Sequence, residues 1–95
     1  MATTVIGSSI VIDGEISGEE HLVVHGTVKG RINVRDSLVV ENGGLVEATV
    51  ETSSITVNGT VNGDISASER AELRPNSTVV GDIRAPRILI ADGAS

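Results

Sequence analysis

Residues 22–34, LVVHGTVKGRINV, show most clearly how this chain folds. Apolar or small residues stand at every second position from Leu22 to Val34, and most of the apolar ones are β-branched. Alternation with period two predicts β-strands, and the glycines at Gly26 and Gly30 predict tight corners between short strands. Because the chain shows no convincing amphipathic helical spacing, we predict an all-β fold.

The same pattern repeats along the chain in units of 15 to 18 residues. The units are taken to begin at Ile6, Leu22, Leu38, Ile55, Leu73 and Ile88. Their next inward positions are then Ser8, Val24, Val40, Val57, Pro75 and Ile90. This alignment places a proline in a strand, where one backbone hydrogen bond would be lost. Units of this length are too short for βα repeats or propeller blades, and they suit one turn of a parallel β-helix.

We therefore predict a right-handed, three-sided parallel β-helix (solenoid) of about six turns. The right hand follows from the strong preference of parallel crossover connections. Residues 1–4 are predicted to form a short N-terminal tail, and residues 5–95 the β-helix core.

Composition agrees with a narrow solenoid and excludes several classes of function. The 95 residues suffice for one domain and contain no Phe, Tyr, Trp or Cys. A lumen filled by stacked valine and isoleucine has no room for aromatic rings, and the chain has no platforms on which single-stranded nucleic acid could stack. The net charge of −6 repels nucleic-acid phosphates and anionic lipids. The lack of cysteine excludes disulfides and thiolate sites, and no apolar run is long enough to span a membrane.

The outward-facing charges support the predicted register. Between the third and fourth inward positions, successive units carry Asp13/Glu15, Lys29/Arg31 and Glu47/Thr49. The basic pair of the second unit is thus predicted to lie between acidic groups of its neighbours. Opposite charges on adjacent strands stabilise a sheet by about 0.2–1 kcal/mol per pair.

The residues do not predict a catalytic, cofactor-binding or metal-binding site. His21 and His25 are predicted to point outward from one strand, about 13 Å apart, so they cannot chelate one ion together. Carboxylates on an exposed, flat face have nothing to desolvate them and tune them for acid–base catalysis. The glycines do not match a phosphate-binding loop. We therefore expect no cofactor and no enzymatic activity.

The two ends of the solenoid are the predicted functional site. An open β-helix exposes unpaired backbone groups and a cross-section of its apolar core at each end, and natural solenoids usually cap these ends. We expect no capping segment here. Apolar terminal turns in a defined arrangement permit end-to-end polymerisation. The predicted polymer interface consists of Val5, Ile6, Ile10 and Ile12 at one end and Ile83, Ile88, Leu89 and Ile90 at the other.

The chain resembles the bactofilins, a family of bacterial polymer-forming cytoskeletal proteins. The resemblance rests on the repeat and on residues 5–7 (VIG), 14–18 (GEISG), 22–30 (LVVHGTVKG) and 79–94 (VVGDIRAPRILIADGA). It implies a right-handed, three-sided parallel β-helix that assembles end to end into nonpolar filaments without nucleotide. It also implies scaffolding of clients such as cell-wall enzymes, polar proteins or chromosome-segregation proteins.

Some bactofilins carry a short N-terminal membrane-binding element, and many carry an aromatic residue near the C-terminal end of the core. Residues 1–4 are too few and too polar to supply such an element, and this chain has no aromatic residue. The N-terminus also lacks the pattern of a signal peptide. We therefore expect a cytoplasmic homopolymer with no direct nucleic-acid partner. The resemblance implies a position near the membrane for some members of the family.

Two other functions fit a β-helix. The first is an enzyme of the hexapeptide acyltransferase or zinc hydratase type, which needs a catalytic histidine or a three-histidine zinc site. The second is a solenoid binding module with a flat, repetitive face. Ice-binding solenoids show regular Thr-x-Thr rows, whereas the threonines of this chain fall in different positions of the repeat.

Overall fold

The computed structural model describes residues 3–93, and every regular element within them is a β-strand. The strands are β1 (Thr3–Ile6), β2 (Val11–Gly18), β3 (His21–Val24), β4 (Thr27–Val40), β5 (Leu45–Val57), β6 (Thr60–Asn62), β7 (Ile65–Leu73), β8 (Thr78–Val80), β9 (Ile83–Arg84) and β10 (Arg87–Ile90). All the strand pairings are parallel. Strand β1 begins inside residues 1–4, for which the sequence predicts a tail.

The strands form the three faces of a parallel β-helix. Face 1 consists of residues 3–6, 21–24, 37–40, 54–57, 70–73 and 87–90. Face 2 consists of residues 11–14, 27–30, 45–48, 60–62 and 78–80. Face 3 consists of residues 15–18, 31–34, 49–52, 65–67 and 83–84. The chain makes five turns and adds a sixth strand on face 1, which confirms the predicted three-sided parallel β-helix.

The core is a column of aliphatic side chains inside the coil. Inward positions stack from turn to turn: Val28 pairs with Val46, and Val46 with Val61, and all three are fully buried. The residues between them face outward, because successive side chains of a strand point to opposite sides. Stacked β-branched residues fill the narrow lumen, and this explains why the chain folds without aromatic residues.

The corner between face 1 and face 2 alternates between long and short turns. Four residues form this corner at 7–10, 41–44 and 74–77, and two residues form it at 25–26 and 58–59. The short turns nest against the long ones, because a Cβ atom on Gly26 would collide with the carbonyl oxygens of Gly7 and Ile10. A Cβ atom on Gly59 would collide in the same way with carbonyl oxygens of the long corner at 41–44.

The sequence pattern wrongly places two residues in strands. Ser8 and Pro75 lie in the long corners, so Pro75 removes no donor from a strand. Ile6 pairs with Val24, and Leu73 pairs with Val57, which makes Ile6 and Leu73 the second inward residues of their strands and not the first. A longer corner and a later strand start produce the same spacing in a linear sequence, and only the strand pairing distinguishes them.

The predicted order of outward charges is confirmed. On face 2, Lys29 lies between Asp13 and Glu47, and on face 3 Arg31 lies beside Glu15. The Lys29 ammonium is 3.9 Å from the Glu47 carboxylate, and the Arg31 guanidinium is 4.0 Å from the Glu15 carboxylate. These side chains are about half exposed, so each pair stabilises the fold by at most about 1 kcal/mol.

Candidate functional site

The two ends of the β-helix carry free strand edges. At the N-terminal end, β1 pairs with β3 and β2 pairs with β4. At the C-terminal end, β8 pairs with β6, and β9 and β10 pair with β7. Within residues 3–93, each of these five terminal strands therefore has one edge without a partner. Such edges are templates for pairing with another chain.

The first turn contains the predicted residues Val5, Ile6, Ile10 and Ile12. Val5 is 56% exposed and Ile10 is 45% exposed, whereas Ile6 is buried. Ile12 is half-buried, although Val28, one turn later at the same inward position, is fully buried. The difference arises because Ile12 has a stacking neighbour on one side alone.

The last turn contains the predicted residues Ile83, Ile88, Leu89 and Ile90. Ile88 and Ile90 continue the inward positions of buried Ala71 and Leu73, yet they are 45% and 66% exposed. Ile83 is half-buried and packs against the core. The lumen is therefore open at this end, and its apolar side chains meet solvent.

Sequence reasoning missed two exposed residues at the ends. Val11 on β2 and Val80 on β8 are 66% and 56% exposed, and both face outward. Alternation alone places them on the outer surface, like any other surface valine. Their position on the first and last turns is the signal that could have found them.

Hydrogen bonds show which backbone groups are free at the C-terminal end. The N–H of Ile65 donates to the carbonyl of Asp82 at 2.8 Å, and the N–H of Gly63 donates to the carbonyl of Val80 at 2.8 Å. Asp82 and Val80 therefore direct their backbone groups to the preceding turn. Because successive residues of a strand direct these groups to opposite sides, the inward residues of the last turn direct theirs to the open edge. These residues are Val79, Ile83, Ile88 and Ile90.

The two ends differ in charge. Residues 3–20 contain four carboxylates and no Lys or Arg, whereas residues 78–93 contain two Asp and two Arg. Two of the N-terminal carboxylates, Glu15 and Glu19, form ion pairs with Arg31 and Arg35 of the second turn, at 4.0 and 3.5 Å. None of the five ion pairs within residues 3–93 involves a charged group of residues 78–93. The N-terminal end is therefore acidic, and the C-terminal end carries unpaired charges of both signs.

A shallow groove of about 750 Å³ runs along the corner between face 3 and face 1. It forms because the third turn uses a single corner residue, Ser53, where the turns on either side use two. Arg35, Glu51 and Arg84 border it. The groove lies on the side of the solenoid and extends to the last turn, where Arg84 and Pro86 line it.

His21 and His25 are half-buried, His21 on face 1 and His25 at the two-residue corner at 25–26. Among residues 3–93, no three His, Cys, Asp or Glu side chains are grouped so that they could hold a metal ion. The same described part of the chain has no helix that could cross a membrane.

Comparison with known proteins gives one family. The bactofilin family model, described as polymer-forming cytoskeletal, matches residues 4–95. Bactofilin BacO of Myxococcus xanthus (strain DK1622) is 63% identical over 95 residues, which is 100% of this chain and 75% of BacO. Bactofilin BacP of the same organism is 47% identical over 92 residues, which is 97% of this chain and 38% of BacP. No solved structure matches the chain significantly.

A third relative, bactofilin BacN of Myxococcus xanthus, is 41% identical over 53 residues, which is 56% of this chain and 47% of BacN. The chain thus spans three quarters of BacO and less than half of BacP and BacN. The family match extends from the first strand through the last. This chain belongs to the bactofilins, a family of polymer-forming cytoskeletal proteins.

Proposed function

We propose that this chain is a structural subunit that polymerises end to end through its terminal turns, without nucleotide. The observation that carries this proposal is the pair of open, apolar ends on a β-helix of a polymer-forming family. Within residues 3–93, each end leaves aliphatic side chains exposed and strand edges unpaired. Pairing two ends corrects both defects at once, because the strands continue and the lumen closes.

The apolar side chains at the ends supply part of the driving force. Ile88, Leu89 and Ile90 are each about half exposed or more, and full burial of such a side chain contributes about 1.5–3 kcal/mol. Association costs at least about 4 kcal/mol of translational and rotational freedom. Several side chains and the strand edges must therefore be buried together, which favours a contact that covers the whole end of the solenoid.

The proposed filament is nonpolar, with like ends meeting. A contact between identical surfaces closes after two copies, so a filament needs two different contacts, one at each end. The acidic N-terminal end and the mixed-charge C-terminal end support two distinct junctions.

The proposed role is structural and does not include catalysis. Within residues 3–93, the glycines stand at corners or in strands, and none begins a helix whose N-terminus could hold a phosphate. This arrangement supports assembly without nucleotide.

A filament of this kind leaves the three lateral faces free. These faces would repeat the same binding surface at every subunit along the filament. Such a repeat suits a cytoplasmic scaffold near the membrane. The proposed clients are cell-wall enzymes, polar proteins or chromosome-segregation proteins.

Electron microscopy of negatively stained protein, without nucleotide or metal, tests this function. We expect thin filaments from the wild type and, at most, dimers from Ile12→Lys and from Ile90→Lys, because each variant places a charge in one junction. Ile12 is preferred to Ile6 because Ile6 is buried even in the free subunit, so a charge there would also disturb the fold. Thr49→Lys adds the same charge to an exposed lateral position and should leave filaments intact. Normal filaments from both end variants would contradict the mechanism.

A further inference from the structure

We infer that the C-terminal end docks on a second copy of itself around a two-fold axis at Ile83, with Asp82 of each copy against Arg84 of the other. This inference rests on the proposed end-to-end assembly and specifies one of its junctions. It follows from the levels of the last three strands, the direction of their backbone groups and the charges beside Ile83.

The last strands lie at three different levels along the solenoid axis. One turn of a β-helix advances by about 4.8 Å, so each successive face lies about 1.6 Å further along. At the C-terminal end, β8 on face 2 is lowest, β9 on face 3 is in the middle and β10 on face 1 is highest. A second copy that meets this end is inverted along the solenoid axis. For the two ends to fit together, the lowest strand of each copy must therefore lie against the highest strand of the other.

An axis through β9 meets this condition. A two-fold axis through the centre of face 3 exchanges face 1 with face 2, so β10 of each copy meets β8 of the other, and β9 meets β9. All three faces are then separated by the same distance, one strand spacing. An axis through face 1 or face 2 would leave a gap of one whole strand between other faces. The rotation reverses strand direction, so the new pairs are antiparallel.

The backbone groups agree with an axis at Ile83. Ile83 directs its N–H and C=O to the open edge, because the Asp82 carbonyl accepts from the N–H of Ile65 and the Asp82 N–H donates to the Asp64 carboxylate, both in the preceding turn. Antiparallel strands centred on Ile83 place the two Ile83 residues opposite each other, where they exchange both hydrogen bonds. On the neighbouring faces β10 of each copy then meets β8 of the other, which closes the lumen with the aliphatic side chains of Val79 and Ile88.

The charges beside Ile83 are complementary in this register. Asp82 and Arg84 are both exposed, and neither takes part in the five ion pairs within residues 3–93. About the axis, Asp82 lies opposite Arg84 of the second copy, and symmetry makes the pair twice. Moving the axis by one residue would set Asp82 against Asp82 or Arg84 against Arg84.

The N-terminal end offers no such pair. Its middle strand lies on face 2, in β2, where the outward Val11 and Asp13 direct their backbone groups to the open edge, because inward Ile10 accepts from the N–H of Thr27 in the next turn. Val11 and Asp13 flank Ile12, so a two-fold pairing there would set a valine against a carboxylate. The middle strand of the C-terminal end therefore carries opposite charges that a two-fold axis brings together, whereas the middle strand of the N-terminal end does not.

The chain leaves β10 at the corner that lies on the proposed axis, so residues 91–93 of both copies meet there and have to turn outward. The N–H of Ala91 donates to the Leu73 carbonyl at 2.9 Å, and the Gly93 carbonyl accepts from the N–H of Asn76 at 3.1 Å. Release of the second bond frees the turn without disturbing β10.

Charge reversal in a background that assembles through one end tests the inference. Ile12→Lys blocks the N-terminal junction, and sedimentation equilibrium then measures the dimer that forms through the C-terminal end. We expect Asp82→Arg or Arg84→Asp, added to Ile12→Lys, to weaken this dimer by at least about tenfold at low salt, since two attractive pairs become repulsive. The double exchange Asp82→Arg/Arg84→Asp should restore it, and so should an equal mixture of the two single variants. Circular dichroism and thermal melting of each variant check the fold.

A neutral set provides the matched control. Asp82→Asn and Arg84→Gln should each weaken the dimer less than the charge reversals do, because opposite charges are lost and no like charges are brought together. Their equal mixture should restore the dimer in part, because Arg84 of one variant lies opposite Asp82 of the other. If the exchanges fail to restore an Ile12→Lys dimer, the register at Ile83 is wrong although end-to-end assembly stands. A wild type that polymerises while Ile12→Lys is monomeric would overturn the contact between like ends. A wild type that forms no polymer would overturn the proposed function itself.

Discussion

The glycine at the corner between face 2 and face 3 shows how closely successive turns approach. Gly30 has φ +117°, and a Cβ atom built on it would collide with the carbonyl oxygen of Gly14 in the preceding turn. Ala48 occupies the same corner one turn later with an ordinary φ, so the third turn takes the corner by a different backbone path. A single residue type is therefore required at Gly30 for two independent reasons, conformation and contact.

Gly30→Ala should lower the free energy of unfolding by at least about 2 kcal/mol, since it adds backbone strain and overpacking. Urea unfolding in an Ile12→Lys/Ile90→Lys background, which blocks both ends, measures this loss. Gly18→Ala is the control, because Gly18 has no positive φ and a Cβ atom added to it would have no neighbouring atom within 4 Å. Equal losses in the two variants would show that the contact with Gly14 is not limiting.

At the scale of single strands, stability depends on whether a strand has neighbours on both sides. Val46 and Val79 occupy the same inward position on face 2, in the third and the last turn. Val46 is fully buried, whereas Val79 is half-buried, because β8 pairs on one side. The terminal strands are thus the weakest elements of the free subunit, and they are also the surfaces that we propose for docking.

Val46→Ala should cost about 2–3 kcal/mol of unfolding free energy, and Val79→Ala less than half of that, because a solvent-accessible site leaves no closed cavity. The comparison uses the same background with both ends blocked. In a background in which the C-terminal end can dimerise, the cost of Val79→Ala should rise, since the junction buries this residue. A cost that is independent of dimerisation would argue against burial of β8 in the junction.

The corners set the spacing between strands, and they are the least predictable elements. The two-residue and four-residue corners between face 1 and face 2 look alike in the sequence, because glycine and polar residues occur in both. For this reason the sequence pattern wrongly places Ser8 and Pro75 in strands. The pattern places strand residues such as Val24 and Val57 correctly, because neighbouring turns on both sides repeat the same buried position.

For the whole molecule, the unequal charge of the two ends predicts opposite responses to salt. The N-terminal end carries four carboxylates, so two such ends repel each other, whereas the C-terminal junction is proposed to contain opposite charges. Raising NaCl from about 50 mM to about 500 mM should strengthen the dimer of Ile90→Lys, which uses the N-terminal end, and weaken that of Ile12→Lys. Sedimentation at both concentrations measures the two dimers. Parallel responses would contradict the assignment of charges to separate junctions.

The class of fold follows from the order of the amino acids alone. Period-two alternation, a repeat of 15 to 18 residues and the lack of aromatic residues leave a narrow parallel β-helix as the arrangement that buries this set of side chains. The charge rows around Lys29 are also predictable, because they follow from the register alone. The apolar residues near both ends of the chain are predictable as a list, from Val5 to Ile90.

The way in which those end residues are presented depends on the folded coil. Ile6 is buried while Ile90 is exposed, although both are isoleucines of a terminal strand that pairs on one side. The level of each terminal strand and the direction of its backbone groups likewise depend on where the coil begins and ends relative to its three faces. The exposure of a terminal residue depends on which neighbouring turn covers it, and that contact exists only once the turns have stacked.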